Sequence, residues 1–221
     1  MRDPIMAVLM FAPVLTIIVF KLLVIFLVPF INTLTGFNIS PWYEYILAFI
    51  LLINSGMLGY VTGFMMLDER DGNITELMSV TPLGRSGYLI NRLSFASILS
   101  FIYSIAGFYV LSLVSLPFMP VLFLSLLMAI YTAIIGLLIF HSADDKVKGL
   151  TIAKALNSFA LFAFTDLFAL KWLTVLSWFF PPYWVTMVIK APDSVLTGGI
   201  ALMVHVGWMW VLVWRYWKGG K

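Results

Sequence analysis

Long apolar runs separated by short polar turns set the layout of this chain. They cover residues 5–31, 45–66, 88–113, 120–140, 149–170 and 195–214. Each suffices to cross a ~30 Å hydrocarbon core as a helix, which takes about 20 residues. The runs are continuous, whereas the strands of a membrane barrel alternate in segments of about ten residues. The pattern predicts an all-α integral membrane protein of about six transmembrane helices. The first run exceeds one upright crossing, and tilt or a kink at Pro13 absorbs the excess.

Two segments interrupt the pattern. Residues 67–92, LDERDGNITELMSVTPLGRSGYLINR, form a charged island between the second and third runs. Residues 171–192 hold Trp172, Trp178, Phe179, Phe180, Pro181, Pro182, Tyr183 and Trp184. Amphipathic aromatics favour the headgroup level, and the double proline breaks a continuous crossing. Short re-entrant or interfacial helices are expected there, at the outer edge of the membrane. The alternative is a seventh helix broken by proline.

Composition agrees with the pattern. The chain is 62% hydrophobic and 10% charged, with a mean hydropathy of +1.05. Soluble domains carry about 25% charged residues. The runs fill the 221 residues and leave no room for a soluble domain. Cysteine is absent, which excludes disulfides and thiolate metal sites. The start, Met-Arg-Asp-Pro, turns apolar at once without a small-residue cleavage site, so the first run reads as a retained helix.

The basic residues orient the helices. With both termini cytosolic, ten lie inside: Arg2, Arg70, Arg85, Arg92, Lys146, Lys148, Lys154, Arg215, Lys218 and Lys221. Lys171 and Lys190 lie outside and Lys21 is embedded, which accounts for all thirteen. The positive-inside rule selects this arrangement, placing a multi-pass protein in the cell (plasma) membrane with the charged island in the cytosol. Trp208, Trp210, Trp214, Tyr216 and Trp217, beside Arg215 and Lys218, then read as an inner interfacial anchor. Gly198, Gly199, Ala201 and Gly207 offer small surfaces for close helix approach.

Within the island, Asn73 is positioned to cap a short helix by accepting from the amide of Glu76, with Glu76 reaching back. Ile74, Leu77 and Met78 then share one face. Thr81-Pro82 ends the helix, and Ser86 is placed to cap the next one. Two turns are marginal alone, so this helix needs a surface to dock on. A plain solvated loop is the competing reading.

Catalytic constellations are missing. There is no Gly-x-x-x-x-Gly-Lys-Ser/Thr phosphate loop, so ATP and Mg would be used on another polypeptide. His141 and His205 lie in different segments with no cysteine beside them, so no metal site is expected. The chain reads as a non-enzyme, with no cofactor of its own and no nucleic-acid partner. Three polar groups lie at membrane depth: Lys21, Asp166 and His205. Snorkelling, surface solvation and helix–helix hydrogen bonding are the ordinary explanations. If two of them share a cavity, they are candidates for a translocation path.

Asp68, Glu69, Arg70, Asp71 and Gly72, then Glu76-Leu77, then Thr81-Pro82-Leu83 and Arg85 resemble the segment after the second membrane helix in ABC-2 type transporter permeases. The six helices, the insert and the outer re-entrant region extend this resemblance over the chain as one transmembrane permease domain, residues 1–221. It implies a membrane-spanning subunit of an ATP-driven exporter, moving an amphiphilic drug, lipid, peptide or glycan outward by alternating access. The island would hold a coupling helix seated in a cytosolic ABC ATPase subunit, with a second permease subunit, identical or paralogous, completing the path within membrane lipid. Ile74, Leu77 and Met78 would supply the apolar contact and Asp68, Glu69, Asp71 and Glu76 its charged surroundings. The family usually carries an amphipathic interfacial helix ahead of the first crossing, whereas only Met1-Arg2-Asp3 precede Pro4 here. The alternatives are an ion-coupled secondary transporter using Lys21, Asp166 or His205, and a non-transport membrane scaffold.

Overall fold

The computed structural model describes residues 4–80, 82 and 84–219, and the regular structure among them is helical throughout. The long helices are α1 (Pro4–Thr35), α2 (Tyr43–Asp71), α4 (Gly84–Leu111), α5 (Phe118–Ser142) and α9 (Val195–Gly219). A further crossing is built from α6 (Lys146–Asn157) running directly into a 3-10 helix, Ser158–Phe168. The short elements are α3 (Ile74–Ser79), α7 (Lys171–Ser177) and α8 (Pro181–Lys190). Among the described residues, six helices are long and apolar enough to span a membrane.

Helices α2 and α5 form the centre, with α4 packed against both. Lipid is as apolar as leucine, so helices in a membrane associate where small residues let backbones approach. Gly59 and Gly63 of α2 provide that approach. A Cβ on Gly59 would lie 2.7 Å from the Ile135 Cβ and from the Thr132 carbonyl oxygen. One on Gly63 would lie 2.8 Å from the Ile139 Cβ. Ser100 donates to the Ser55 hydroxyl at 3.0 Å, and Thr132 to the Ser55 carbonyl at 3.0 Å. The glycines expected to make close contact behave differently: nothing lies within 4 Å of a Cβ at Gly199 or Gly207.

Two boundaries differ from the sequence expectation. Helix α2 runs on to Asp71, so Asp68 to Asp71 form its last turn rather than a loop. Helix α4 begins at Gly84, which puts Ser86 inside the first turn and not at the cap. The fifth crossing also departs from a uniform helix. A 3-10 helix of eleven residues is long for a form that rarely exceeds three or four. In a 3-10 helix side chains at i and i+3 eclipse. Phe159 and Phe162 both reach Phe180, and Thr165 bonds Ser177 at 2.9 Å. The next stripe is Ala160, Ala163 and Asp166; Thr186 of α8 donates to the Ala163 carbonyl at 2.9 Å. Period-3 stripes and an outside donor to the backbone account for the tighter winding.

The α2–α5 contact leaves no room for a side chain at Gly59. Gly59→Val should lower stability by about 1–3 kcal/mol through overpacking, measured as thermal unfolding in detergent. Gly56→Ala, with only the Tyr60 hydroxyl 3.6 Å and its ring 3.7 Å away, should be neutral.

Candidate functional site

Ion pairs converge at the end of the bundle that carries α3. Glu69 accepts from Arg92 Nε at 2.9 Å and from the Tyr88 hydroxyl at 2.7 Å, and Arg92 Nη2 pairs with its other oxygen. Arg70 donates to the carbonyls of Ala143 at 2.9 Å and Asp144 at 2.8 Å, with its guanidinium over the Phe140 ring. Lys146 pairs with Asp68 at 2.6 Å. Three successive residues of α2 thus tie it to α4, to the α5–α6 turn and to α6. His141 bonds the Leu212 carbonyl at 3.1 Å and packs against Tyr216, which brings the end of α9 to the same place. Asp68 and Glu69 brace the chain, leaving Asp71 as the exposed acid of that turn. Sequence reasoning missed Tyr88, Arg92 and Lys146 as bracing partners. The legible signal was one acid–base pair, Glu69 and Arg92, flanking the island.

On this platform sits α3. Asn73 takes the left-handed conformation, φ 57°, which asparagine tolerates better than most residues. Its side chain makes no cap hydrogen bond, so the expected capping box does not form. The helix is entered through a turn in which the Gly72 amide donates to the Asp68 carbonyl at 3.0 Å and the Asn73 amide to that of Arg70. Leu77 is 65% exposed and Ile74 36%, while Met78 packs onto the core. Pro82 and Arg85 are exposed. Thr81 and the Glu76 side chain lie outside the described residues.

The opposite end is closed by a bent pair, α7 and α8, turned by 105° at Trp178–Phe180. Lys190, at the end of α8, pairs with Asp166 at 2.5 Å and with the Tyr45 hydroxyl at 2.9 Å; Tyr45 also donates to Asp166 at 3.1 Å. Lys190 lies nine positions beyond Pro181, about 14 Å along α8, and the bend lies beside Trp208, midway along α9, rather than at the end of the bundle. A helix start at that depth would bury unpaired amides. Pro181 and Pro182 fill its first two positions and have no amide hydrogen to leave unpaired. The carbonyls at the bend are met by indoles: Trp184 donates to Trp178 at 2.8 Å, and Trp208 to Phe179 at 2.9 Å. Trp208 therefore belongs to the aromatic cluster at the bend and not with the residues at the end of α9.

The three candidate path residues do not hydrogen-bond one another. Lys21 donates to the Leu111 carbonyl at 3.1 Å, placing its charge on the negative end of α4. Asp166 is held by Lys190 and Tyr45. His205 is fully buried, with Nδ1 2.8 Å from the Ala201 carbonyl and no partner for Nε2.

Residues 1–217 match a family model described as fluoroquinolones export permease protein Rv2686c-like. The chain belongs to that family. Two relatives from Mycobacterium tuberculosis are named fluoroquinolones export permease proteins: MT2760 of strain CDC 1551 / Oshkosh and Rv2686c of strain H37Rv. Each is 27% identical over 232 residues, covering 97% of this chain and 88% of the relative. No solved structure matches.

The Glu69–Arg92 pair is partly screened from water, so its hydrogen bonds to charged groups are worth about 1.5–3 kcal/mol. Glu69→Ala and Arg92→Ala should each destabilise the folded chain. The double variant should lose less than the sum of the two, as read in a double-mutant cycle of thermal unfolding.

Proposed function

We propose that the chain is the membrane-spanning subunit of an ATP-driven exporter of the ABC-2 type, with α3 as its coupling helix. The observation that carries this reading is the exposed apolar edge of α3, Ile74 and Leu77, on a helix too short to persist alone and set on an ion-paired base. A separate cytosolic ATPase, holding ATP and Mg, would receive that edge. The braced end is then cytosolic, together with both termini, as the basic residues favour. Because α2 is tied to α4, α5 and α6, displacement of α3 would tilt these helices together and not merely bend a loop. Cargo would move outward as the bundle shifts between two states that bind it differently. The names of the relatives favour a planar aromatic drug of the fluoroquinolone kind. A second permease chain, identical or paralogous, would complete the transporter.

An ion-coupled transporter would share one feature, a helix broken at mid-membrane. Here the rings at the break are phenylalanine and tryptophan, and Asp166 is paired with Lys190 at the far end of α8. That favours the ATP-driven reading.

Co-purification from native membranes in mild detergent tests it. The wild-type chain should bring down an ATPase subunit, and Leu77→Asp should lose it while remaining folded. Met78→Asp, aimed into the core, should instead lower the yield of folded chain. ATP-driven export by Leu77→Asp at the wild-type rate would contradict the proposal.

A further inference from the structure

The outward faces of the crossings are not alike. Along their middle turns α1, α4 and α9 expose apolar side chains, such as Ile18, Ile102 and Val206. The crossing built from α6 and the 3-10 helix is the least apolar of the six. Lys154, Asn157 and Ser158 are all exposed on it, while Ala153, Leu156 and Ala160 turn to the bundle. Lys154 stands three positions before Asn157 and four before Ser158, so the three share one side.

The sequence count placed Lys154 with the cytosolic residues, yet α6 carries it some way into the crossing. Lys146, paired with Asp68, marks the braced end, and Lys154 lies eight positions further, about 12 Å along α6. Asn157 sits at a matching level. It accepts from the Tyr60 hydroxyl at 2.8 Å, and Tyr60 is eight positions from Asp68 along α2. That bond occupies the amide oxygen and leaves the Asn157 Nδ2 hydrogens unused. Among the described residues, Lys154 pairs with no acid. The side therefore offers an ammonium, an amide NH2 and a hydroxyl, with no acidic group among them. Leu150 and Leu161, 55% and 57% exposed, flank the three donors. Lipid tails can accept none of these hydrogens. Snorkelling accounts for Lys154 alone and not for two further donors beside it. A charge at such a position marks a path or a partner.

We propose that Lys154, Asn157 and Ser158 form a cargo subsite for an anionic group, a carboxylate above all, with Leu150 and Leu161 against the apolar body of the same molecule. Charge and donor complementarity select the occupant. Lys154 supplies the counter-charge, and Tyr60 is a positioning residue that holds the Asn157 amide with its NH2 free. The proposal rests on the export reading and deepens it, giving the cargo a charge and this face of the fifth crossing a role in its path.

Two probes test it: ciprofloxacin, a planar aromatic acid, and the analogue in which its carboxylate is a primary carboxamide. Export of each would be measured from native cells carrying variants of the full chain. Lys154→Met should lower export of the acid about tenfold, the loss of one charge-assisted hydrogen bond, and leave the carboxamide within about twofold. Lys154→Arg should retain most of the activity toward the acid. Equal loss for both compounds would make Lys154 structural, and no loss for either would make it a snorkelling residue; each overturns the proposal. Binding of the acid to the full chain purified in mild detergent, followed by its own fluorescence, should weaken about tenfold in Lys154→Met. Unchanged binding with loss of co-purified phosphatidylglycerol would assign Lys154 to a lipid headgroup and overturn the cargo assignment. If the unsubstituted chain exports neither compound while Lys154-dependent binding of the acid persists, the export reading fails and the anion site stands.

Discussion

Lipid supplies no hydrogen bonds, and the chain must satisfy every polar group it takes to membrane depth from its own atoms. That constraint explains features that otherwise look unrelated. Prolines occupy the first positions of α8 because an amide there would stay unpaired. Tryptophan indoles reach the carbonyls left by α7. Lys21 rests on the last carbonyl of α4, and serine and threonine hydroxyls bridge the α2–α4–α5 centre. Among the described residues, the Asn54 amide and His205 Nε2 are the buried side-chain groups left unpaired.

The two ends meet the constraint differently, and the difference separates their roles. At the braced end, side-chain charges join four helices into a unit and present a short helix with its apolar edge outward. Such a surface can transmit force, since displacing α3 moves its whole base. At the other end, aromatic packing and one ionic triad hold a hairpin inserted only partway. Its last link to α2 and to the fifth crossing is a partly exposed ion pair, and such pairs contribute little in water. The proposed coupling to a cytosolic motor would draw on the ion-paired end, while the hairpin end is held chiefly by ring packing.

How much of this was legible in the sequence follows from what sets each feature. Membrane thickness fixes the six runs, so their number and approximate bounds can be read from hydropathy. The continuation of α2 to Asp71 could not be, because a helix leaving the bilayer is marked by its partners and not by its composition. The 3-10 stretch was hidden because i, i+3 pairs also occur in α-helices; only the hairpin opposite gives that spacing its meaning. Gly59 and Gly63 resemble other small residues until α5 is placed against them, while Gly199 and Gly207 look equally suited and meet nothing. Asn73 was read as a side-chain cap, yet its backbone conformation, not its amide, enters α3.

Everything said of the docking surface depends on which side of the membrane α3 faces. Single cysteines at two exposed sites, Val80→Cys beside α3 and Trp172→Cys in α7, decide this by labelling with an impermeant thiol reagent. The account predicts that Trp172→Cys is labelled in intact cells, and Val80→Cys only in inside-out vesicles. Labelling of Val80→Cys in intact cells would place α3 outside, beyond the reach of any cytosolic ATPase, and would contradict the account.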